Sequence, residues 1–159
     1  STHEFSFWRP IAAPGRLNRA PEAGDGAVGY NVGMATKAET ALAKVRKACF
    51  ALPEVNERPS HGAPTFFIRG KQTFVMFHDD HHGDGRLAIW CAAPPGVQEE
   101  LVEAEPDRFF RPPYVGHRGW LGVELDRSPD WTEVAAILRD AYCVVAPKAL
   151  VDRLDDDST

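Results

Sequence analysis

Cations and aromatic residues are interleaved over residues 108–120, and this segment has more side chains that could bind a ligand than any other in the sequence. Its members are Arg108, Arg111, Tyr114, His117, Arg118 and Trp120. Guanidinium groups attract phosphates and aromatic rings stack on bases, so the segment suits a nucleic-acid backbone or a phosphorylated ligand. An architectural role explains the same residues, with Tyr114 and Trp120 filling the core and prolines fixing the loop. Arg118 is the cation most open to a ligand, because Gly116 and Gly119 allow another backbone to approach closely.

A second group of cations lies within residues 58–78, which contain Arg58, Arg69 and Lys71 and no acidic residue. Gly70, between Arg69 and Lys71, predicts a tight hairpin turn whose tip projects two cations. Such a tip can contact phosphates as a DNA-binding wing does, and it is also typical of a solvated turn. Both interpretations stay open at this point.

Residues 78–84 read His-Asp-Asp-His-His-Gly-Asp and contain two kinds of metal ligand. Zinc, nickel and manganese accept such ligands, but adjacent residues of a loop seldom converge on one ion without supporting hydrogen bonds. We therefore predict no functional metal site. The three carboxylates of this loop should repel phosphate at neutral pH.

Ser60 and His61 are the residues that most resemble a nucleophile and its base. Adjacent residues seldom turn their side chains toward each other, and the sequence has no GxSxG motif. His61 is instead expected to hydrogen-bond backbone at the entry to a strand. We predict no catalytic residue, no enzymatic activity and no bound cofactor.

The elements that position these groups follow from capping signals and hydrophobic spacing. Thr36 and Glu39 form a capping box before a helix that ends near Leu52. Strands are predicted at 65–69, 73–78 and 87–91, followed by a short acidic helix at 97–104 and a strand at 120–125. Asp130 and Glu133 form a second capping box before a long helix, and Pro147 begins a terminal helix.

This order, α-β-β-β-α-β-α-α, predicts a two-layer α+β fold in which helices pack on an antiparallel sheet, since consecutive strands lack crossover helices. Residues 34–154 are predicted to form the single domain. Residues 1–33, rich in Gly and Pro, are predicted to be a flexible or artificially added leader, and residues 155–159 an acidic tail.

The composition is that of an ordinary soluble protein. The chain has 159 residues, of which 43% are hydrophobic, and a net charge of −5, which argues against a generically basic nucleic-acid coat protein. Three widely spaced cysteines do not predict a disulfide framework. No apolar stretch approaches the roughly 20 residues of a membrane span. We expect a cytoplasmic protein with no membrane partner.

Two groups of motifs resemble those of a known family. The first is Ser60-His61-Gly62-Ala63-Pro64-Thr65-Phe66, followed by Arg69-Gly70-Lys71 and Phe74. The second is Pro113-Tyr114-Val115-Gly116-His117-Arg118-Gly119-Trp120, followed by Leu125-Asp126, Trp131, Ala141-Tyr142 and Ala146-Pro147-Lys148. In order and spacing, these motifs resemble the MmcQ/YjbR family of small bacterial proteins over residues 37–154.

The resemblance implies a two-layer α+β fold that is compared with frataxin-like proteins. It also implies a double-wing arrangement, which has been proposed on the basis of its shape to bind DNA. The resemblance implies no known enzymatic reaction. Function must still be argued from the site, because one fold supports many activities.

We therefore expect weak binding to double-stranded DNA. Strong sequence specificity is not expected, because no helix presents clustered Arg, Asn or Gln to base edges. The predicted contact residues are Arg58, Arg69, Lys71, Arg108, Arg111, Arg118 and Trp120. The alternative is a module that binds a protein or a small ligand and no nucleic acid, which the net negative charge favours. The sequence does not indicate the oligomeric state.

Overall fold

The computed structural model describes residues 35–157 as an α+β domain, which confirms the predicted fold class. The helices are α1 (Lys37–Phe50), α2 (Val97–Ala104), α3 (Trp131–Val145) and α4 (Lys148–Asp157). The strands are β1 (Val55–Ser60), β2 (Ala63–Ile68), β3 (Gln72–Asp79), β4 (Leu87–Cys91), β5 (Phe109–Phe110) and β6 (Leu121–Glu124). Short 3-10 helices occupy His81–Gly83 and Gly116–Arg118.

Both predicted helix starts are capped. The Thr36 hydroxyl accepts a hydrogen bond from the Glu39 N–H at 3.0 Å, and the Glu39 carboxylate accepts one from the Thr36 N–H at 3.0 Å. Asp130 accepts hydrogen bonds from the first-turn N–H groups of Thr132 and Glu133. These contacts satisfy helix donors that have no intrahelical partner.

The strands of the described residues form one antiparallel sheet in the order β1-β2-β3-β4-β6-β5. The register aligns Phe66, Val75, Cys91 and Leu121 on one face of this sheet. Helices α1 and α3 pack on that face: Phe50 of α1 meets Phe66 edge-on, and Tyr142 of α3 meets Phe74 edge-on. This helix-covered face contains most of the hydrophobic core.

The opposite face has a different composition. Its cross-strand row consists of Arg58, Thr65, Met76, Trp90, Gly122 and Phe110. Side chains lie flat on this face: the Arg58 guanidinium is 3.7 Å from the centre of the Phe67 ring, and the Arg86 guanidinium is 4.0 Å from that of Phe110. We call this face, defined by the row above, the stacked face. It is separate from the helix-covered face, because successive side chains of a strand alternate between the two faces of a sheet.

Two strands were not predicted from the sequence. Strand β1 is mostly polar and contains Pro59, and it has no hydrophobic alternation because it lies at the edge of the sheet. Strand β5 has two residues, too few for a periodicity to be recognised. Both are edge strands. The four predicted strands correspond to the central strands β2, β3, β4 and β6, and the two edge strands were missed.

The predicted leader, residues 1–33, lies outside the described residues. Asp155, Asp156 and Asp157 of the predicted tail lie in α4, which continues to Asp157. No helix within residues 35–157 is long and apolar enough to cross a membrane. Cys49 and Cys91 are buried, and burial raises the pKa of both thiols.

Candidate nucleic-acid interface

The cations of the hairpin tip and those of the 111–120 loop lie at one end of the sheet, whereas Arg108 lies beside Glu124 toward the other end. Val75 pairs with Cys91 and Cys91 pairs with Leu121, so β3 begins, β4 ends and β6 begins at this end. The turn before β3, residues 69–71, therefore lies at the same end as the segment before β6. Strand β5 also runs toward this end, because Phe110 pairs with Gly122. We call this end of the sheet, where β3 and β6 begin, the basic end. The acidic turn, residues 79–84, connects β3 to β4 at the opposite end.

The hairpin tip is a tight turn closed by a hydrogen bond from the Lys71 N–H to the Ile68 carbonyl at 3.0 Å. Arg69 and Gly70 both have positive φ, 56° and 69°, as a turn of the mirror-image type requires. The Gly70 N–H donates to the Asn56 side chain at 2.7 Å. Arg58 reaches the same turn and donates to the Gly70 carbonyl at 3.3 Å. The turn is therefore anchored to β1, and Arg58 joins its cations.

Arg69 is already paired with a carboxylate. Its guanidinium lies 2.8 Å from Glu54, and Arg153 of α4 lies 3.0 Å from the other oxygen of Glu54. The hydrogen bond from Arg69 is the main reason that the pKa of Glu54 is lowered. Arg69 thus has a carboxylate partner, whereas Lys71, two residues away, is exposed and has none among the described residues.

The 111–120 loop is held by a buried amide that the sequence analysis did not single out. Gln98 of α2 is 3% exposed, and its side-chain amide donates to the carbonyls of Gly116, at 2.8 Å, and Trp120. Its side-chain oxygen accepts a hydrogen bond from Arg111 at 3.3 Å. One signal in the sequence indicated a buried Gln98. This polar residue follows Val97 and lies one helical turn before Leu101, both apolar residues of the helix face that is buried.

Arg111 and Arg118 project from this loop into solvent. A Cβ atom at residue 116 would come 2.6 Å from Cγ of Arg111, so Gly116 allows the Arg111 stem to lie against the loop backbone. The Arg118 guanidinium lies 5.1 Å from the centre of the Trp120 ring. Neither guanidinium has a carboxylate partner within residues 35–157, so both are available to an anion.

Two of the residues predicted to contact DNA, Trp120 and Arg108, are placed unfavourably for such a contact. Trp120 is 3% exposed and belongs to the core, so its ring is not available for stacking. Arg108 is half-buried and paired with both Glu105, at 2.6 Å, and Glu133. A phosphate would have to displace one of these carboxylates. For Trp120, the architectural interpretation of the sequence describes the residue better, whereas Tyr114, which the same interpretation places in the core, is exposed.

Tyr114 is the exposed aromatic residue of the loop. The residue is 71% exposed, and its backbone has a φ of 67°. Its ring lies 6.1 Å from that of His81, which in turn lies 4.8 Å from the ring of Trp90. The 111–120 loop therefore extends over the stacked face from the basic end.

The two histidine motifs line one cavity of about 440 Å³ at the acidic end of the sheet. Its lining is Ala38, Glu39, Leu42, His61, Gly62, Ala63, Pro64, Phe77, His78, Asp79, Asp80 and His81. It thus combines an apolar surface with three carboxylates and three imidazoles, and no Lys or Arg belongs to it. Among the described residues, no three His, Cys, Asp or Glu side chains are grouped to hold a metal ion.

Comparison with known proteins decides the family. The model of the YjbR family matches residues 50–144, more than half of the chain. The chain belongs to the YjbR family. The matched region of this YjbR protein includes the hairpin tip, Gln98 and the whole 111–120 loop, and it confirms the resemblance drawn from the motifs.

A solved structure supports the fold. The crystal structure of Deinococcus radiodurans protein DR2400, with a domain described as DUF419, superposes on this YjbR protein with a TM-score of 0.59. The two chains are 20% identical, and the alignment covers 72% of this chain and 87% of the other. At this identity, the likeness shows the fold alone. No curated protein matches the chain.

Proposed function

We propose that this YjbR protein binds DNA weakly through its phosphates, using Arg58, Lys71, Arg111 and Arg118. The observation that supports the proposal most directly is the charge distribution at the basic end. Four exposed cations there have no carboxylate partner among the described residues, although the chain as a whole has a net charge of −5. Clustered, uncompensated Lys and Arg are the usual electrostatic signature of a phosphate-binding surface.

The proposed contacts provide little sequence specificity. Guanidinium and ammonium groups at a turn and an irregular loop suit phosphate oxygens, and phosphate contacts position a protein without reading bases. Duplexes of different sequence should therefore bind with similar affinity. We propose the cytoplasm as the place of action, because the cysteines of the described chain are free thiols.

Three residues of the predicted set are left out of the proposed contacts. Arg69 is paired with Glu54, Arg108 is paired with two glutamates, and Trp120 is buried. Recruiting either arginine would require breaking an ion pair in the free protein. The energy of that step would offset the energy gained from the phosphate.

The test is the affinity for a labelled duplex of about 20 base pairs at about 50 mM salt, where phosphate contacts are strong. Arg118→Ala and Lys71→Ala should each weaken binding by about two- to fivefold. Lys37→Ala is the matched control, because this exposed cation already pairs with Asp126, which follows β6 at the acidic end. Equal effects of all three variants, or no measurable binding by the wild type, would contradict the proposal.

The cavity at the acidic end favours a second function, binding of a small organic cation. Its lining combines the acidic residues Glu39, Asp79 and Asp80 with the apolar residues Leu42 and Phe77. Benzylamine is a suitable probe because it combines an ammonium group with an apolar ring. It should raise the melting temperature of the wild type more than that of Asp79→Asn, whereas benzyl alcohol should raise neither. Equal shifts with both compounds would exclude charge recognition.

A further inference from the structure

Tyr114 differs from the other aromatic residues of the stacked face. Trp90 and Trp120 are each 3% exposed, whereas Tyr114 is 71% exposed. An exposed ring of this size gains little from packing, so the fold itself does not explain why an aromatic residue occupies this position.

The backbone at Tyr114 is also unfavourable for a side chain. Its φ of 67° lies in the left-handed region, where glycine is preferred. The conformation is maintained by its neighbours: the Val115 N–H donates to the Pro113 carbonyl at 2.6 Å, and Gln98 holds the carbonyl of Gly116. The structure therefore supports a strained residue whose ring faces solvent, a combination that is more frequent at functional sites.

The groups around Tyr114 indicate what this ring would contact. Arg111 and Arg118 lie on either side of it in the chain, both exposed and both without a carboxylate partner in the described residues. The Arg111 stem contacts Gly116, which keeps this cation close to the loop. A solvent-facing ring in a loop that also carries two exposed guanidinium groups without carboxylate partners suits a nucleotide, whose base would stack on the ring while its phosphates meet the cations.

We propose that Tyr114 stacks on an unpaired base, so that the nucleic acid bound at the basic end contains a single-stranded segment. This inference rests on the proposed phosphate-binding function and specifies its ligand. The bases inside a duplex stack on each other and hide their faces, whereas an unpaired base exposes one. His81, whose ring lies 6.1 Å from that of Tyr114, belongs to the acidic turn, and the carboxylates of this turn repel phosphates, so the strand would approach Tyr114 from the basic end.

The test compares two single strands with the same number of phosphates, an oligothymidylate of about 12 nucleotides and an abasic oligomer of equal length. The wild type should bind the thymidylate about 10-fold more tightly, since only this strand has bases to stack. Tyr114→Phe retains the ring and should retain this preference. Tyr114→Gly removes the ring and should bind both strands with the lower, abasic affinity.

Thermal unfolding separates stacking from a structural role of Tyr114. Glycine adopts positive φ without strain, so Tyr114→Gly should melt no lower than the wild type while it loses the preference for bases. A clearly lower melting temperature would show that the ring stabilises the loop, and the proposal would be wrong. Equal affinity of the wild type for both strands would reject stacking alone, whereas no binding to either strand would also reject the phosphate-binding function.

Discussion

At the scale of single residues, the partners of each cation decide its role. Arg69 and Lys71 flank the same glycine, but only Arg69 lies opposite a carboxylate, Glu54. An exposed ion pair adds little to stability, yet it places beside Arg69 a carboxylate that a phosphate would have to displace. The sequence alone does not distinguish Arg69 from Lys71. The ion pair of Arg69 could not be predicted, because Glu54 comes close to the turn only when β1 pairs with β2.

Asp140 of α3 is a residue for which the structure predicts a pH dependence of stability. Its Oδ2 atom is buried without a hydrogen-bond partner among the described residues, and burial raises the pKa of its carboxyl from 3.8 to about 6. Because this pKa is higher in the folded state than in the unfolded one, the protonated form stabilises the fold below about pH 4. That contribution is lost as the pH rises through about 6.

Asp140→Asn should therefore stabilise the protein at pH 7.5 by about 1 kcal/mol, because it removes a poorly solvated charge from a side chain that keeps some contact with water. The gain should disappear near pH 4, where the wild-type carboxyl is protonated. Urea unfolding of both proteins at the two pH values measures the difference. Exposed Asp152→Asn is the control, and a gain for Asp140→Asn that does not change with pH would contradict the assignment.

At the scale of elements, α2 fixes the 111–120 loop through Gln98. Replacing Gln98 with Glu preserves the shape of the side chain and removes both amide donors, so the carbonyls of Gly116 and Trp120 would face a carboxylate. We expect a loss of stability of about 1–3 kcal/mol. Backbone amides of residues 115–119 should also exchange hydrogen faster.

The exposed Gln72→Glu variant controls for the added charge, since Gln72 lies at the hairpin end of β3. Hydrogen exchange monitored by mass spectrometry, together with urea unfolding, distinguishes the two variants. Unchanged protection of residues 115–119 in Gln98→Glu would mean that the loop is held by other contacts.

Strand β5 depends on the absence of a side chain at residue 122. The ring of Phe110 occupies the space that a Cβ atom at Gly122 would need, and the Arg86 guanidinium lies on that ring at 4.0 Å. Gly122→Ala should destabilise the protein by about 1–3 kcal/mol, because the ring must move away from β6.

A double-mutant cycle with Phe110→Ala tests this close packing. If the ring is the obstacle, Gly122→Ala should cost much less in the Phe110→Ala background than in the wild type. Thermal or urea unfolding of the four proteins provides the comparison. Additive effects would show that the glycine is needed for another reason.

The elements differ in how far the sequence predicts them. The capping box at Thr36 and the alternation of Leu121 and Val123 are local patterns, and both are confirmed. The conformation of the 111–120 loop depends on Gln98, an amide 13 residues before Arg111 in the chain. Local patterns cannot identify that contact. For the same reason the exposures of Tyr114 and Trp120, which decide their roles, could not be assigned from sequence.

At the scale of the whole molecule, the sheet separates the cations of the hairpin tip and the 111–120 loop from one acidic turn. The antiparallel order places the basic hairpin tip and the ends of the 111–120 loop together, and it places the Asp79, Asp80 and Asp84 turn at the far end. In the proposed function, these cations attract a polyanion to one end and the acidic turn repels it from the other, which would orient it even though the net charge is −5. Lys71 and Arg111, 40 residues apart in the chain, lie at the same end of the sheet only because of this topology.

The salt dependence of DNA affinity tests the central claim most directly. Each phosphate neutralised in a duplex contributes about 0.9 to the slope of log affinity against log salt concentration. The slope for the wild type should be about 3–4, and it should fall to about 1 or less when Arg58, Lys71, Arg111 and Arg118 are all replaced by Gln. Unfolding curves of the same variant verify its fold. An equal slope for the two folded proteins would contradict phosphate binding at the basic end.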